Sequence, residues 1–207
     1  MIEILEQTSD YLVCVKPRGL DTQQGLVDAL AGQGICPVFL VHRLDKETAG
    51  VILLAKNQKA AAEFSRQITE GRMQKEYLAL VWGTPDPPEG QWEDLLFRDA
   101  AKNKSYVVKR MRRGVRKALL TYQICQTGQL QERPVSLLRI RLQTGRTHQI
   151  RVQCASRGMP LVGDSRYGGG KDLPLCLWAE PLTFYGSDQK LHTVTAPVPP
   201  EHPMRTL

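Results

Sequence analysis

The residues best suited to chemistry lie at His42–Gly50, where an acidic side chain, Asp45, follows a basic pair and precedes the apolar run Val51–Ala55. A carboxylate that leads into a buried strand is held stiffly, so it can serve as a nucleophile or a general base. Thr48–Gly50 is typical of a tight turn that lets a backbone approach closely. On residue types alone, an aspartate after Arg-Leu is more often a surface ion pair or a turn residue than a catalytic group, so these interpretations stay open.

A second polar cluster, Thr144–Arg151, lies much further along the chain and opens a segment whose apolar residues recur at helical spacing. Thr147 is predicted to cap a helix that runs through Ile150 and Cys154 and ends at Gly158. The cluster is therefore expected at the start of a helix, where its side chains are held in place.

Short apolar runs bounded by turn residues must position these two clusters. Strands are predicted at Ile2–Leu5, Tyr11–Val15, Val51–Ala55, Glu76–Trp82, Lys117–Gln126 and Val135–Leu142. Helices are predicted at Leu26–Leu30 and from an Asn57 cap to Gly71, with Ala61, Phe64 and Ile68 on one face. Because strands and helices do not alternate regularly, we predict an α+β fold rather than a doubly wound parallel sheet.

Length and charge limit the classes of function. A chain of 207 residues, 42% of them hydrophobic, can bury a core, and we interpret residues 1–207 as a single domain whose Thr84–Gly90 loop divides it into two lobes. The formal net charge of +7 favours a polyanionic partner.

Positive charge is densest between residues 102 and 117, where eight of sixteen residues are basic and the one aromatic residue is Tyr106. The basic residues are Lys102, Lys104, Lys109, Arg110, Arg112, Arg113, Arg116 and Lys117. Such a cluster repels itself unless a polyanion such as a nucleic acid neutralises it, which favours a polyanion contact in a loop between strands over a merely solvated loop. It would add salt-sensitive affinity and little base discrimination.

The cysteines and the N-terminus indicate the compartment. Five cysteines, an odd number, are spread along the chain without metal-binding or redox spacing, which is typical of reduced thiols. The segment Met1–Glu6 lacks the features of a signal peptide, and no apolar run is long enough to span a bilayer. We therefore expect a cytoplasmic protein with no membrane partner.

Taken together, the motifs resemble those of the RluA family of RNA pseudouridine synthases. His42–Gly50 is similar to that family's H-R-L-D-x-x-T-S-G, with Ala49 in place of Ser, and Thr144–Arg151 is identical to its T-G-R-T-H-Q-I-R. Three further segments follow the family's patterns in the same order, namely Lys16–Leu20 (K-P-x-G-L), Lys75–Gly83 (K-x-Y-x-A-x-V-x-G) and Pro160–Gly168 (P-x-x-G-D-x-x-Y-G). Near residue 177, Leu175–Ala179 is similar to L-x-L-H-A, with Trp178 in place of His.

The resemblance implies a fold and a function. It implies a mixed, mainly antiparallel central sheet flanked by helices, in a two-lobed catalytic domain with an RNA cleft between the lobes and no separate N-terminal RNA-binding domain. It implies an enzyme, an isomerase that converts specific uridines of ribosomal or transfer RNA stem-loops to pseudouridine. It implies no metal and no nucleotide cofactor, and we expect a monomer.

Roles for individual residues follow from the same resemblance. Asp45 is implied as the nucleophile that detaches uracil from its ribose, by attack on the base or on the sugar. Tyr77 is implied to stack on the uracil, and Arg146 to pair with Asp45 and keep it ionised. Because a stacked base is out of reach, the uridine must flip out, and Arg43 is the candidate to fill the vacated space.

The resemblance also implies a wider set of substrate-binding residues. They are His42, Arg43, Thr48, Lys75, His148, Gln149, Arg151 and Leu177. His42 and Arg43 would follow RNA phosphates, whereas His148, Gln149 and Arg151 are expected to organise the motif loop or contact the RNA backbone. His148 fits a structural histidine as well as a ligand.

Two other functions are compatible with parts of the sequence. A glycoside hydrolase also uses an aspartate, but it needs a second carboxylate across the scissile bond, and Glu47, Glu76 and Asp164 have no evident claim to that role. A non-catalytic RNA-binding module could use the same basic surface. An Asp45→Asn variant distinguishes them, because only an enzyme loses its function.

Overall fold

The computed structural model describes residues 1–205, which contain eleven β-strands, three α-helices and one short 3-10 helix. In chain order the strands and helices are β1 (Glu3–Gln7), β2 (Tyr11–Lys16), α1 (Gly25–Ala31), β3 (Phe39–Leu40), β4 (Ala49–Ala55), α2 (Gln58–Thr69), β5 (Gln74–Trp82), β6 (Glu89–Asp99), β7 (Lys104–Val108), β8 (Val115–Leu130), β9 (Arg133–Leu142), α3 (Gln149–Ser156), β10 (Leu177–Tyr185), β11 (Leu191–Val194) and the 3-10 helix Pro203–Arg205. The predicted α+β class is confirmed. No helix among these described residues is long and apolar enough to cross a membrane.

The chain divides into two compact units. The first comprises Met1–Glu76 with Trp178–Pro197, and the second comprises Tyr77–Leu177 with the residues from Val198 on. The division falls within β5, so the prediction that the Thr84–Gly90 loop separates two lobes is wrong. That loop joins β5 to β6, and both strands belong to the second unit from Tyr77 onward, so a proline-rich composition marked a local turn rather than a boundary.

The first unit is built around β4, whose seven residues are all buried. One edge of β4 pairs with β2 in antiparallel register from Tyr11–Ala55 to Lys16–Gly50. The start of β4 pairs in parallel with β10, and its end pairs with β3 in antiparallel orientation. β1 extends the sheet beyond β2, and β11 pairs with β10. The unit is therefore a mixed sheet that places the end of the Asp45 motif at its buried centre.

Helix α2 follows β4 and begins as the sequence predicts. The Asn57 side chain accepts a hydrogen bond of 2.9 Å from the Ala60 N–H, which confirms the predicted cap. The predicted buried face is only partly right, because Ala60, Phe64 and Gln67 are buried whereas Ala61 and Ile68 are not. Gln67 is buried because its amide exchanges two 2.9 Å hydrogen bonds with the backbone of Tyr185, a pairing that hydrophobic periodicity does not reveal.

The second unit contains strands in the order β5-β9-β8-β6-β7. The antiparallel ladders β8–β9 and β6–β8 are long, and β7 pairs only with β6, so β7 is the outer strand. Leu138 and Ile140 of β9 are fully buried and Arg139 and Arg141 are exposed, as their alternation predicts. Helix α3 packs against β6 and β7. This packing places the start of α3, and with it the Thr144–Arg151 cluster, beside the outer strand.

Candidate active site

Asp45 lies half-buried in a turn whose backbone is held on both sides. The Thr48 N–H donates a hydrogen bond of 3.0 Å to the Asp45 carbonyl, and Thr48 itself is buried. The preceding residue, Leu44, is buried, and its carbonyl accepts a 2.7 Å bond from the Thr22 hydroxyl. The backbone that carries the carboxylate is therefore fixed on both sides, which suits a nucleophile.

Lys16 ties the Asp45 turn to the end of β2. Its side chain is fully buried, and the ammonium donates to the carbonyls of Pro17 at 2.9 Å, Leu20 at 2.8 Å and Lys46 at 3.2 Å. Burial lowers the pKa of Lys16 to about 8, and the negative charge of Asp45 opposes that shift. Lys16 therefore supplies a positive charge close to Asp45 and fixes the turn that carries it.

The His42 side chain binds a backbone N–H of β4. Between the stretches of β4 that pair with β10 and with β3, the Leu53 N–H donates to His42 Nε2 at 3.2 Å. The imidazole must therefore be neutral, with its proton on Nδ1, which is buried without a hydrogen-bond partner among the described residues. Nε2 is thus engaged by the backbone of β4. A contact between His42 and RNA phosphate stays a prediction.

Acid should destabilise the protein through His42. Burial, with a smaller effect from the charge of Lys75, lowers the pKa of His42 from 6.5 to about 3. Between these two pH values the unfolded chain binds more protons than the folded chain, so stability falls as the pH is lowered from 6.5 towards 3. The free energy of unfolding should lose up to about 1.4 kcal/mol per pH unit from this one group.

Urea denaturation at pH 7 and pH 5 measures this effect. His42→Asn removes the titration and keeps a side-chain acceptor, so the variant should lose less stability than the wild type over the same interval. Equal losses in the two proteins would show that His42 is not buried in its neutral form.

Gly50 allows β10 to approach the end of the Asp45 motif. Its φ angle is +120°, and a Cβ atom built on it would lie 2.4 Å from the Ala179 carbonyl oxygen. Only glycine fits this position, which agrees with the close approach predicted for the Thr48–Gly50 turn. The neighbouring pair in the same parallel register is Ala49 with Trp178, and both are buried.

The remaining predicted substrate-binding and catalytic residues of the Asp45 motif, β5 and β10 differ in exposure. Arg43 is exposed, whereas Lys75 is half-buried on β5 and burial lowers the pKa of its ammonium. Tyr77 is buried on β5 in the second unit, and Leu177 is buried at the start of β10. Their roles in binding uridine or RNA stay predictions.

The Arg146 loop, residues 143–148, is braced by Gln149. The Gln149 Oε1 accepts from the Arg146 N–H at 3.0 Å and from the Thr144 hydroxyl at 2.8 Å, and its Nε2 donates to the Leu119 carbonyl of β8 at 3.1 Å. The prediction that Thr147 caps α3 is wrong. The N-cap residue is His148, in the left-handed conformation with φ 55°, and no side chain caps the helix there. Instead, the Gln149 side chain accepts the hydrogen bond from the Arg146 N–H, a contact that N-cap propensities do not predict.

Arg146 itself is exposed at the tip of this loop. Its Nε donates to the Lys117 carbonyl of β8 at 2.9 Å, which orients the guanidinium along the strand. The predicted pairing of Arg146 with Asp45 joins residues of different units and stays a prediction.

Arg151 forms a buried ion pair. Its Nε and Nη2 donate to the two carboxylate oxygens of Asp164 at 2.7 and 2.8 Å, and the two side chains are 7% and 0% exposed. This bidentate geometry joins α3 to the Asp164–Gly168 segment. Of the three residues expected to organise the loop or contact RNA, Gln149 and Arg151 bind the protein's own groups here. His148 Nδ1 lies 3.0 Å from the Tyr167 hydroxyl.

The basic segment 102–117 is part strand and part loop. Lys104–Val108 forms β7, and β8 begins at Val115, on the opposite side of β6. The predicted loop between strands is confirmed for residues 109–114, which carry Lys109, Arg110, Arg112 and Arg113. All basic residues of the segment are exposed except the half-buried Lys104, and Lys117 lies 3.3 Å from Glu93. We call residues 102–117 the basic segment.

Comparison with known proteins identifies the family. A family model described as RNA pseudouridylate synthase matches residues 10–156, well over half of the chain. This chain belongs to the RNA pseudouridylate synthase family. The matched span contains Asp45, Tyr77 and Arg146, and the resemblance drawn from the motifs is confirmed at the level of the family.

Relatives in the RNA pseudouridylate synthase family come from distant organisms. An uncharacterized RNA pseudouridine synthase of Haemophilus influenzae is 36% identical over 173 residues, which cover 81% of this chain and 74% of the relative. One from Aquifex aeolicus is 36% identical over 182 residues, covering 81% of this chain and 56% of the relative. The chloroplastic RNA pseudouridine synthase 2 of Arabidopsis thaliana is 36% identical over 141 residues, covering 67% of this chain and 32% of the relative. The chain thus spans from about a third to three quarters of these relatives.

Solved structures of the family have the same fold. Human RNA Pseudouridylate Synthase Domain Containing 1 superimposes with a TM-score of 0.84 at 25% identity, covering 99% of this chain and 86% of the human chain. Human RNA Pseudouridylate Synthase Domain Containing 4 gives a TM-score of 0.77 at 24% identity, covering 95% and 88%. The members named as RNA pseudouridine synthases are isomerases, so the expectation of an enzyme family is confirmed.

Several structurally important residues of this family member had no role assigned from the sequence. Lys16, Asp164 and Tyr167 stand within quoted motifs, but each has a partner outside its own motif. Ser105 lies outside every motif, and nothing in its local sequence distinguishes it from other serines.

Proposed function

We propose that the protein is an RNA pseudouridine synthase that isomerises specific uridines of ribosomal or transfer RNA, with Asp45 as the nucleophile acting on a flipped-out uridine. The observation that carries the proposal is the half-buried Asp45 in a rigid turn, beside the buried ammonium of Lys16, in a chain of this family. The turn fixes the backbone that carries the carboxylate, and the ammonium of Lys16 attracts its negative charge.

The reaction needs few groups because no atom is gained or lost. The bond between ribose and the base nitrogen breaks, the base turns, and it rejoins the ribose through a carbon whose proton leaves last. Asp45 assists the detachment, Tyr77 stacks on the uracil, and Arg146 holds the Asp45 carboxylate ionised. Arg43, exposed two residues before Asp45, fills the space that the flipped base leaves in the RNA.

The basic segment supplies an electrostatic surface for RNA. Its Arg110 and Arg113 are exposed in the turn between β7 and β8, and exposed arginines of this kind bind phosphates without reading bases. A stem-loop lying on β7 would neutralise charges that otherwise repel each other. This supports RNA rather than a small molecule as the substrate.

Removing two of these charges should weaken RNA binding and reduce its dependence on salt. For the double variant Arg110→Ala/Arg113→Ala we expect an affinity about tenfold lower near 0.1 M salt. The slope of log affinity against log salt should become shallower by about 0.7 to 0.9 for each lost phosphate contact. Fluorescence anisotropy across a salt series measures both quantities.

A matched control removes two exposed lysines of the first unit, Lys59→Ala/Lys190→Ala, and so changes the net charge equally. This control should keep the wild-type salt slope. If the two double variants weaken binding equally, the effect comes from net charge and the basic segment is not a specific contact.

The proposed function is tested by mapping pseudouridine chemically after incubation of the purified protein with unmodified ribosomal and transfer RNA. We expect one or a few new sites, which would identify the substrate RNA. RNA binding with no new pseudouridine in either RNA class would overturn the proposal and favour a non-catalytic RNA-binding module.

A further inference from the structure

The Tyr167 hydroxyl lies where three segments of the second unit meet. It accepts a hydrogen bond from the Ser105 N–H at 2.8 Å, lies 3.2 Å from the Ser105 carbonyl and lies 3.0 Å from His148 Nδ1. The one hydroxyl hydrogen goes to the carbonyl or to the ring nitrogen, depending on the imidazole tautomer. The Tyr167 ring packs against a core cluster of Leu96 and Val152 with Ala118, so the hydroxyl is held in a fixed position.

Ser105 makes a second link between the same strand and the same loop. It is buried on β7, and its hydroxyl donates to the Thr147 carbonyl at 2.6 Å. β7 is thus attached to Thr147 directly and to His148 through Tyr167. The neighbours of Ser105 on β7, Lys104 and Tyr106, belong to the basic segment, and the Lys104 ammonium lies 5.0 Å from the centre of the Tyr167 ring.

The other side of the Arg146 loop is attached to β8. Gln149 and the Arg146 side chain bind the Leu119 and Lys117 carbonyls, as described above. Arg146 therefore sits between an anchor on β8 and, one residue later, an anchor on β7. His148 holds the left-handed conformation at this point, which fixes the direction in which the loop enters α3.

We propose that Tyr167, with Ser105 and His148, forms a positioning link that sets the Arg146 loop according to the position of β7, so that RNA bound on the basic segment holds Arg146 in its working orientation. This inference rests on the proposed function, since it gives Arg146 a task in the isomerisation. In this proposal Tyr167, Ser105 and His148 are positioning residues that act through the loop. A catalytic group displaced by about 1 Å can slow a reaction about a hundredfold.

The test compares two tyrosines of the same unit. Tyr167→Phe removes the hydroxyl that joins β7 to His148. Tyr122→Phe removes a hydroxyl that donates to the Pro87 carbonyl at 2.9 Å, a bond of the same kind in a loop with no proposed role. Each variant is assayed in single-turnover reactions with enzyme in excess over an RNA substrate that the wild type modifies, across a range of enzyme concentrations.

We expect Tyr167→Phe to lower the rate constant at saturating enzyme by about ten- to a hundredfold while the RNA dissociation constant stays within about twofold. Tyr122→Phe should change neither. A merely structural role gives the opposite pattern, because a smaller folded fraction raises the apparent dissociation constant and leaves the saturating rate constant unchanged. Ser105→Ala, which removes only the bond to Thr147, should lower the saturating rate constant by a smaller factor.

The outcomes separate this inference from the function on which it rests. A wild-type protein that forms no pseudouridine overturns both. If the wild type is active and Tyr167→Phe has the same saturating rate constant, the positioning link alone is overturned. The positioning link alone is also overturned if Tyr167→Phe and Tyr122→Phe lower the saturating rate constant equally.

Discussion

An Asp45→Asn protein is expected to bind RNA with nearly wild-type affinity and to form no detectable pseudouridine, a loss of at least about a thousandfold in rate. The amide is close in size to the carboxylate, so the turn held by Thr48 and Leu44 should survive the change. What disappears is the negative charge and the nucleophilic oxygen. Because the charge of Asp45 raises the pKa of Lys16 against burial, the variant should also have a Lys16 pKa below its present value of about 8.

The matched control is Glu47→Gln, which removes a carboxylate from the same turn. Glu47 pairs with Arg18 at 3.0 Å on the surface, and such exposed pairs contribute about 0 to 1 kcal/mol to stability. The control should therefore keep both its rate and its RNA affinity. Pseudouridine formation by Asp45→Asn at more than about a tenth of the wild-type rate would contradict the assignment of the nucleophile.

The Asp45 motif could be located from the sequence because its positioning is local. The apolar run Val51–Ala55 predicted the buried strand, and Asn57 predicted the start of the next helix. The turn at Thr48–Gly50 follows from the close approach that only Gly50 permits. Each of these features depends on residues within about one strand of each other, which is the range over which periodicity and turn chemistry are informative.

The partner of His42 could not be predicted in this way. Whether a histidine beside an arginine contacts phosphate or supports a strand depends on which backbone amides the sheet leaves unpaired. Here β10 covers the start of one edge of β4 and β3 covers its end, and the Leu53 N–H between them donates to the imidazole. β10 lies more than a hundred residues away in the sequence, so no local pattern predicts the arrangement.

The two departures from the family pattern show the same limit. Ala49 and Trp178 look like independent changes in the sequence, but they are register partners in the parallel pairing of β4 with β10. Side chains opposite each other in a parallel pair point to the same face, so a small residue on β4 faces a large one on β10. The Trp178 Nε1 donates to the Ala196 carbonyl at 2.7 Å, which gives the larger ring a hydrogen-bond partner. The two departures therefore lie at one place in the packing of β4 against β10.

Arg151→Met is expected to destabilise the protein by about 3 to 5 kcal/mol, because it leaves the Asp164 carboxylate buried without its cation. Asp164 also accepts hydrogen bonds of 3.2 Å from the backbone N–H groups of Arg166 and Tyr167, so the unpaired charge lies at the turn that positions Tyr167. Urea denaturation of the variant and the wild type at pH 7 measures the difference in the free energy of unfolding.

A second substitution tests whether the buried charge is the cause. Arg151→Met/Asp164→Asn removes the carboxylate charge and keeps an acceptor for the two backbone amides, so the double variant should be more stable than Arg151→Met alone. An exposed arginine gives the opposite behaviour: Arg113→Met should change the free energy of unfolding by less than about 0.5 kcal/mol and weaken RNA binding. If Arg151→Met instead kept its stability and lost RNA affinity, Arg151 would be the RNA contact that its motif implies, and the ion pair with Asp164 would contribute little to the fold.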